Sequence, residues 1–180
     1  AHGERDLAPF ATKPAKVFEQ RTTPRREWRD DHREAASKVI NRVLRPTVHC
    51  NQDCSFCSAN ETTENVFKRP EEMYRRIARM ARSGVKYISF SGGEPTLARE
   101  LPRYVAAARQ AGIPKIELVT NGVLLDRRPR VRALVDAGLS HAFVSLHGHD
   151  EAAASVATRK RGDFARTVAA IGHLVDAGVI

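Results

Sequence analysis

At 180 residues and 42% hydrophobic content, the chain can bury one sizeable core but is too short for two well-developed domains. Its formal net charge of +9, from 30 basic and 21 acidic residues, would suit an anionic partner, but the basic residues are spread along the chain and identify none. No apolar run approaches the roughly 18 to 20 residues that cross a bilayer, and no apolar secretory stretch opens the chain, so no membrane partner and a cytoplasmic location are expected.

The chain opens on Ala1 and stops at Gly178-Val179-Ile180, just as an apolar run begins, so a piece of a longer protein is expected. Residues 1–26 carry Pro9, Pro14 and Pro24 among charged and small residues and read as a linker or extended arm. Glu27 to Asn41 has helical preferences, with Trp28 as its anchor, so residues 1–41 are taken as an N-terminal extension and 42–180 as the core domain.

Beyond that point short apolar strands alternate with amphipathic helices. The pattern predicts strands over Val43–His49, Lys86–Ser91, Lys115–Thr120 and His141–Leu146. Helices are predicted over Pro70–Ser83, Glu100–Ala111, Arg127–Ala137 and Phe164–Ala177, closed by Gly84, Gly112, Gly138 and Gly178. Such alternation implies parallel strands joined by right-handed crossovers: an α/β fold, either doubly wound or part of a β/α barrel. Both place ligands at the strand C-termini. Residues with chemical potential do gather after each strand: Cys50 after the first, Gly92-Gly93-Glu94-Pro95 after the second, Asn121-Gly122 after the third and His147-Gly148 after the fourth.

All three cysteines, Cys50, Cys54 and Cys57, lie in one loop of the form C-x3-C-x2-C. An odd number crowded together is no disulfide framework; it reads as a metal or redox site. Three thiolates can each take one iron of a cubane cluster and leave the fourth iron open to a small molecule. Structural zinc is the alternative and would need a fourth ligand from His49, His141, His147 or His149, in a non-catalytic module whose basic surface binds nucleic acid. A ferredoxin-like electron carrier would want a fourth cysteine.

In Gly92-Gly93-Glu94-Pro95 two glycines let a ligand approach the backbone, and a carboxylate suited to an ammonium follows; an ordinary strand-to-helix turn has the same composition. Thr120-Asn121-Gly122 is on its own a common turn. Ser145 can reach a ribose hydroxyl, and His147 and His149 stand two apart as a possible metal pair or simply a polar loop. Arg159, Lys160 and Arg161 are a solvated charge run or a partner for a ligand carboxylate.

C-x3-C-x2-C with Phe56 before its last cysteine, followed in order by Gly-Gly-Glu-Pro, Thr-Asn-Gly and Ser145, resembles the radical S-adenosylmethionine superfamily over residues 43–180. His147 departs from the Asp that often stands at its position. The resemblance implies a partial (β/α)6 TIM-like barrel, cut here after about four β/α units. It also implies an oxygen-sensitive enzyme whose 4Fe-4S cluster, on Cys50, Cys54 and Cys57, reductively cleaves S-adenosylmethionine to a 5′-deoxyadenosyl radical that abstracts hydrogen from substrate. By the same resemblance Gly92, Gly93 and Glu94 fix the methionine amine, the Phe56 backbone meets the adenine, Asn121 lines the cofactor cleft, Ser145 meets the ribose and Arg161 pairs with the cofactor carboxylate. The implied electron donor is flavodoxin or ferredoxin. The stretch from Arg161 to Phe164 leans toward a peptide or protein substrate, with RNA or a small metabolite open, and no catalytic side chain is picked out.

Overall fold

The computed structural model describes residues 41–57 and 66–179. The expected N-terminal arm and the helix carrying Trp28 lie outside the described residues, apart from Asn41, which opens the first strand. Four strands, β1 (Asn41–Thr47), β2 (Tyr87–Gly92), β3 (Lys115–Thr120) and β4 (His141–Val144), form one parallel sheet in the order β1-β2-β3-β4. Between them run α1 (Pro70–Arg82), α2 (Leu101–Gln110) and α3 (Arg128–Asp136), and after β4 come α4 (Glu151–Thr158) and α5 (Asp163–Asp176). The sheet is open, with an edge at β1 and another at β4, as expected of a partial barrel.

Parity along the strands decides which residues the helices cover. Leu44, Phe90 and Leu118 stand in register, as do Ile88 and Ile116 one step below, and all are buried against Met73 and Ile77 of α1, Tyr104 and Val105 of α2 and Val131 and Leu134 of α3. Among the described residues no helix covers the opposite parity, which is more polar. There Val43, Ser89, Glu117 and His141 share one register, Val119 and Phe143 another, and Phe143 is 61% exposed. Between Leu44 and Thr47 the ladder slips by a bulge at Arg45-Pro46, because Pro46 has no N–H to donate.

The predicted strands and four of the helices are present to within a few residues. One helix was not foreseen: α4 follows the loop after β4, over a stretch for which no element was predicted. Asp150 caps it, its carboxylate accepting from the Ala153 N–H at 2.8 Å, and the small residues that follow propagate it. β4 also ends earlier than expected, at Val144, although the Ser145 N–H still bonds the Thr120 carbonyl at 2.9 Å. Two single 3-10 turns, Pro95–Leu97 and Val123–Leu125, follow β2 and β3 and were not foreseen.

The turn at Val123–Leu125 is tied to α5 by Arg166, whose Nε donates to Asp126 at 2.8 Å and holds that carboxyl below its ordinary value of 3.8. A carboxyl lowered by folding contributes stability that is present above its unfolded value and lost as pH falls through its folded one. Asp126→Asn is therefore expected to cost less than about 1 kcal/mol at neutral pH, since the pair is partly exposed, and no measurable amount in strong acid. Paired thermal melts of the two proteins from pH 7 down to pH 2 check this.

Candidate cofactor site

The four strand ends converge through backbone contacts. The Gly93 N–H donates to Thr47 O at 3.1 Å and the Glu94 N–H to His49 O at 2.8 Å, so the start of the cysteine loop hangs from the end of β2. The approach is close enough that a Cβ on Gly93 would sit 2.2 Å from His49 O and 2.4 Å from Val48 O; one on Gly92, whose φ is +131°, would sit 2.3 Å from Thr47 O. Glycine is required here for space, and at Gly92 for conformation also.

Glu94 is 1% exposed and turns inward. Its Oε1 accepts from the Thr96 N–H at 3.0 Å, the Thr96 hydroxyl at 2.5 Å and the Thr120 hydroxyl at 2.7 Å, while Oε2 accepts from the Asn121 N–H at 2.8 Å. Burial pushes this carboxyl above its ordinary value, and the four donors oppose the shift. The carboxylate thus knots β2, the turn at Pro95 and the end of β3. Asn121 is equally occupied: its Oδ1 accepts from the Val123 N–H at 3.0 Å, and its Nδ2 donates to Asn51 Oδ1 at 2.8 Å and lies 3.9 Å from Cys50 Sγ.

The cysteine loop is clamped from its other side by the helix the sequence did not announce. The Asp53 and Ser55 N–H groups donate to the Thr158 and Ala157 carbonyls at the C-terminus of α4, both at 3.1 Å. Arg159, in the left-handed conformation, reaches Asp53 at 3.5 Å, and the Gln52 amide donates to Asp163 at the start of α5 at 3.2 Å. Phe56, 58% exposed, packs edge-on against the His147 ring with centroids 4.7 Å apart. Ser145 faces a small void with Gln52, His147, Asp163 and Phe164. Arg161 is exposed on the turn between α4 and α5, beside Glu151, which takes the Gly162 N–H at 2.6 Å.

Burial pushes the Cys50 thiol up, with the charges of Glu94 and Cys57 adding to it and the Gln52 N–H, 3.4 Å from the sulfur, opposing. Burial and the neighbouring Cys50 and Cys57 raise Cys54 in the same sense. The three thiols therefore feel one another, and they form a soft donor set on one loop. Among the described residues no group of three or more His, Cys, Asp or Glu side chains stands at metal-binding spacing. Each histidine that zinc would need is otherwise engaged: His49 with Phe67, His141 with the Ser140 hydroxyl, His147 with Phe56 and His149 with Asp150. Three thiolates on one short loop suit a cubane cluster with one open iron.

A parallel sheet that carries a three-thiol loop and a Gly-Gly strand end at its carboxyl edge defines an α/β protein of the partial-barrel class. The profile of the Radical SAM superfamily matches residues 44–180, and the chain belongs to that superfamily, whose enzymes use a 4Fe-4S cluster with S-adenosylmethionine. It is 39% identical over 139 residues to GTP 3′,8-cyclase 2 of Mycobacterium tuberculosis, a match that spans 74% of this chain and 38% of that one. It is 36% identical over 122 residues to PqqA peptide cyclase of Rhodopseudomonas palustris, spanning 67% and 31%. The chain thus matches about a third of the length of such relatives. Among solved structures it resembles SuiB of Streptococcus suis bound to S-adenosylmethionine, with a TM-score of 0.66 at 22% identity over 85% of this chain and 36% of that one. It also resembles anSMEcpe with bound AdoMet and a peptide, with a TM-score of 0.62 at 20% identity over 77% and 41%.

Proposed function

We propose that the protein to which this chain belongs cleaves S-adenosylmethionine reductively at a cluster held by Cys50, Cys54 and Cys57, and uses the resulting radical to abstract hydrogen from its substrate. The observation that carries this reading is that the loop bearing all three cysteines hangs by backbone bonds from the Gly93-Glu94 end of β2. A cluster held there by the three thiolates would supply one electron to the sulfonium of S-adenosylmethionine. The protein's part is placement. Gly92 and Gly93 present bare backbone at the strand end, where their carbonyls could accept from the methionine ammonium, and the Glu94 carboxylate ties that strand end to Thr96, Thr120 and Asn121. Phe56, packed on His147, and Ser145, beside a small void, are the proposed neighbours of the nucleoside, and Arg161, exposed on the outer turn, is the proposed partner of the cofactor carboxylate.

The substrate reading that accompanies it is a peptide or protein side chain, supported by the PqqA peptide cyclase relative and by the stretch from Arg161 to Phe164. GTP is the second reading, favoured by the 39% identity to a GTP 3′,8-cyclase. Flavodoxin or ferredoxin is the proposed electron donor, residues 42–180 the proposed catalytic core, and the cytoplasm the proposed compartment; among the described residues no helix is long and apolar enough to cross a membrane.

Anaerobic reconstitution with iron and sulfide, reduction by dithionite and chromatography for 5′-deoxyadenosine test the reading. Wild type is expected to take up close to four irons per chain and release 5′-deoxyadenosine, faster with the true substrate class when GTP and peptide are supplied separately. Cys54→Ala is expected to lose the cluster and all cleavage; zinc uptake in place of iron would overturn the reading.

A further inference from the structure

The Asn121 amide has only one orientation that its surroundings allow. Its Oδ1 takes the Val123 N–H at 3.0 Å, and its Nδ2 faces Asn51 Oδ1 at 2.8 Å. Flipping the amide would set two donors against each other at Val123 and two acceptors against each other at Asn51. The backbone is held as firmly, since the Asn121 N–H is bound by Glu94 Oε2 at 2.8 Å and its carbonyl by the Thr167 hydroxyl at 2.9 Å. The side chain is 7% exposed residue by residue and has no room to turn away. The second N–H of this fixed amide is 3.9 Å from Cys50 Sγ, within reach of a sulfur acceptor.

We infer that Asn121 sets the reduction potential of the cluster, as a side-chain N–H donor fixed on the Cys50 sulfur; this rests on the reading that Cys50 is a cluster ligand. One-electron reduction, by flavodoxin in the cell or dithionite in the cuvette, adds one negative charge that spreads over the cluster and its thiolates. A donor aimed at one of those sulfurs stabilises the reduced form more than the oxidised one and moves the potential upward. The Gln52 N–H, 3.4 Å from the same sulfur, acts in the same direction, but it belongs to the backbone and is left alone by substitution at Asn121. Asn121 therefore has a task distinct from contact with the cofactor: its polar atoms are consumed within the protein, and the one that faces the metal loop faces sulfur.

The test is a dithionite potentiometric titration, followed by electron paramagnetic resonance, of the reconstituted chain without S-adenosylmethionine. Asn121→Ala removes the donor. Asn121→Asp keeps the shape and the acceptor for Val123 while turning an anionic oxygen toward the sulfur, and so remains informative if the alanine variant fails to fold. Expected is a midpoint more negative than wild type for Asn121→Ala and more negative still for Asn121→Asp, with iron content unchanged. Thr167→Val, which frees the Asn121 carbonyl but touches no sulfur, is expected to keep the wild-type midpoint. Unchanged midpoints in both Asn121 variants, or an equal shift in Thr167→Val, overturn the inference while leaving the cluster assignment standing. Failure of wild type to assemble any iron–sulfur cluster overturns both.

Discussion

Gly93→Ala is expected to destabilise the fold by about 3–5 kcal/mol and to abolish cluster assembly in whatever fraction remains folded. The new methyl would need the space held by His49 O, 2.2 Å away, and Val48 O, 2.4 Å away. Both are backbone atoms, so no side chain can swing aside, and relief requires the end of β1 to separate from the end of β2. Separation breaks the bonds from the Gly93 and Glu94 N–H groups to Thr47 O and His49 O. Overpacking costs about 1–3 kcal/mol or more, and each lost hydrogen bond about 0.5–1.5. Because Cys50 follows directly on His49, the displacement falls on the cysteine loop. Gly84→Ala provides the contrast. Gly84, unlike Gly93, has a left-handed φ, +74°, but nothing lies within 4 Å of its would-be Cβ. Only the conformational penalty of about 1–2 kcal/mol applies there, and iron uptake should stay at the wild-type level. Thermal unfolding and iron content measured on both variants separate the outcomes; a Gly93→Ala protein with wild-type iron uptake would contradict the close-approach argument.

The same two strand ends show what the sequence could and could not reveal. Strand and helix periodicity, with glycine closing each predicted helix, located the four-strand parallel sheet, because burial on one face against helices writes itself into the spacing of apolar residues. The positions of the motifs at the strand ends followed from the topology alone. Which way a polar side chain turns did not. Glu94 read as a carboxylate offered to a ligand, but its neighbours Thr96, Thr120 and Asn121 draw it inside, and two of them come from a strand that the sequence places more than twenty residues away. α4 went unseen for a different reason. His147 and His149 drew the eye to metal chemistry, although Asp150 ahead of Glu-Ala-Ala-Ala carried an ordinary N-cap signal that was there to be read. Its hold on Asp53 and Ser55 is made by backbone carbonyls, which leave no trace in residue identity.

Glu94→Ala is the second large effect expected, a loss of about 3–5 kcal/mol. The Thr96 and Thr120 hydroxyls can rotate toward other acceptors, but the Thr96 and Asn121 N–H groups cannot, and each buried donor left without a partner costs about 1–3 kcal/mol, before the cavity is counted. Glu94→Gln should be milder. Its oxygen can replace Oε1 and keep three donors, but its NH2 then meets the Asn121 N–H. The pH dependence distinguishes an inward, buried carboxylate from an exposed one. Burial raises the Glu94 carboxyl in the folded state, so the folded protein binds its proton more tightly than the unfolded chain does, and stability gains as pH falls from neutral through the raised value toward the ordinary 4.5. Wild type should therefore gain stability relative to Glu94→Gln over that window, and thermal melts of the two proteins in matched buffers measure the difference. A carboxylate that faced the cleft and waited for a ligand ammonium would show no such gain, and its removal would lower affinity for S-adenosylmethionine without lowering the melting temperature. The burial of Glu94 and its four donors thus make one demand of the data: stability and cofactor affinity must fall together, because the carboxylate that ties the end of β2 to the end of β3 is also the one that fixes Asn121 beside Cys50.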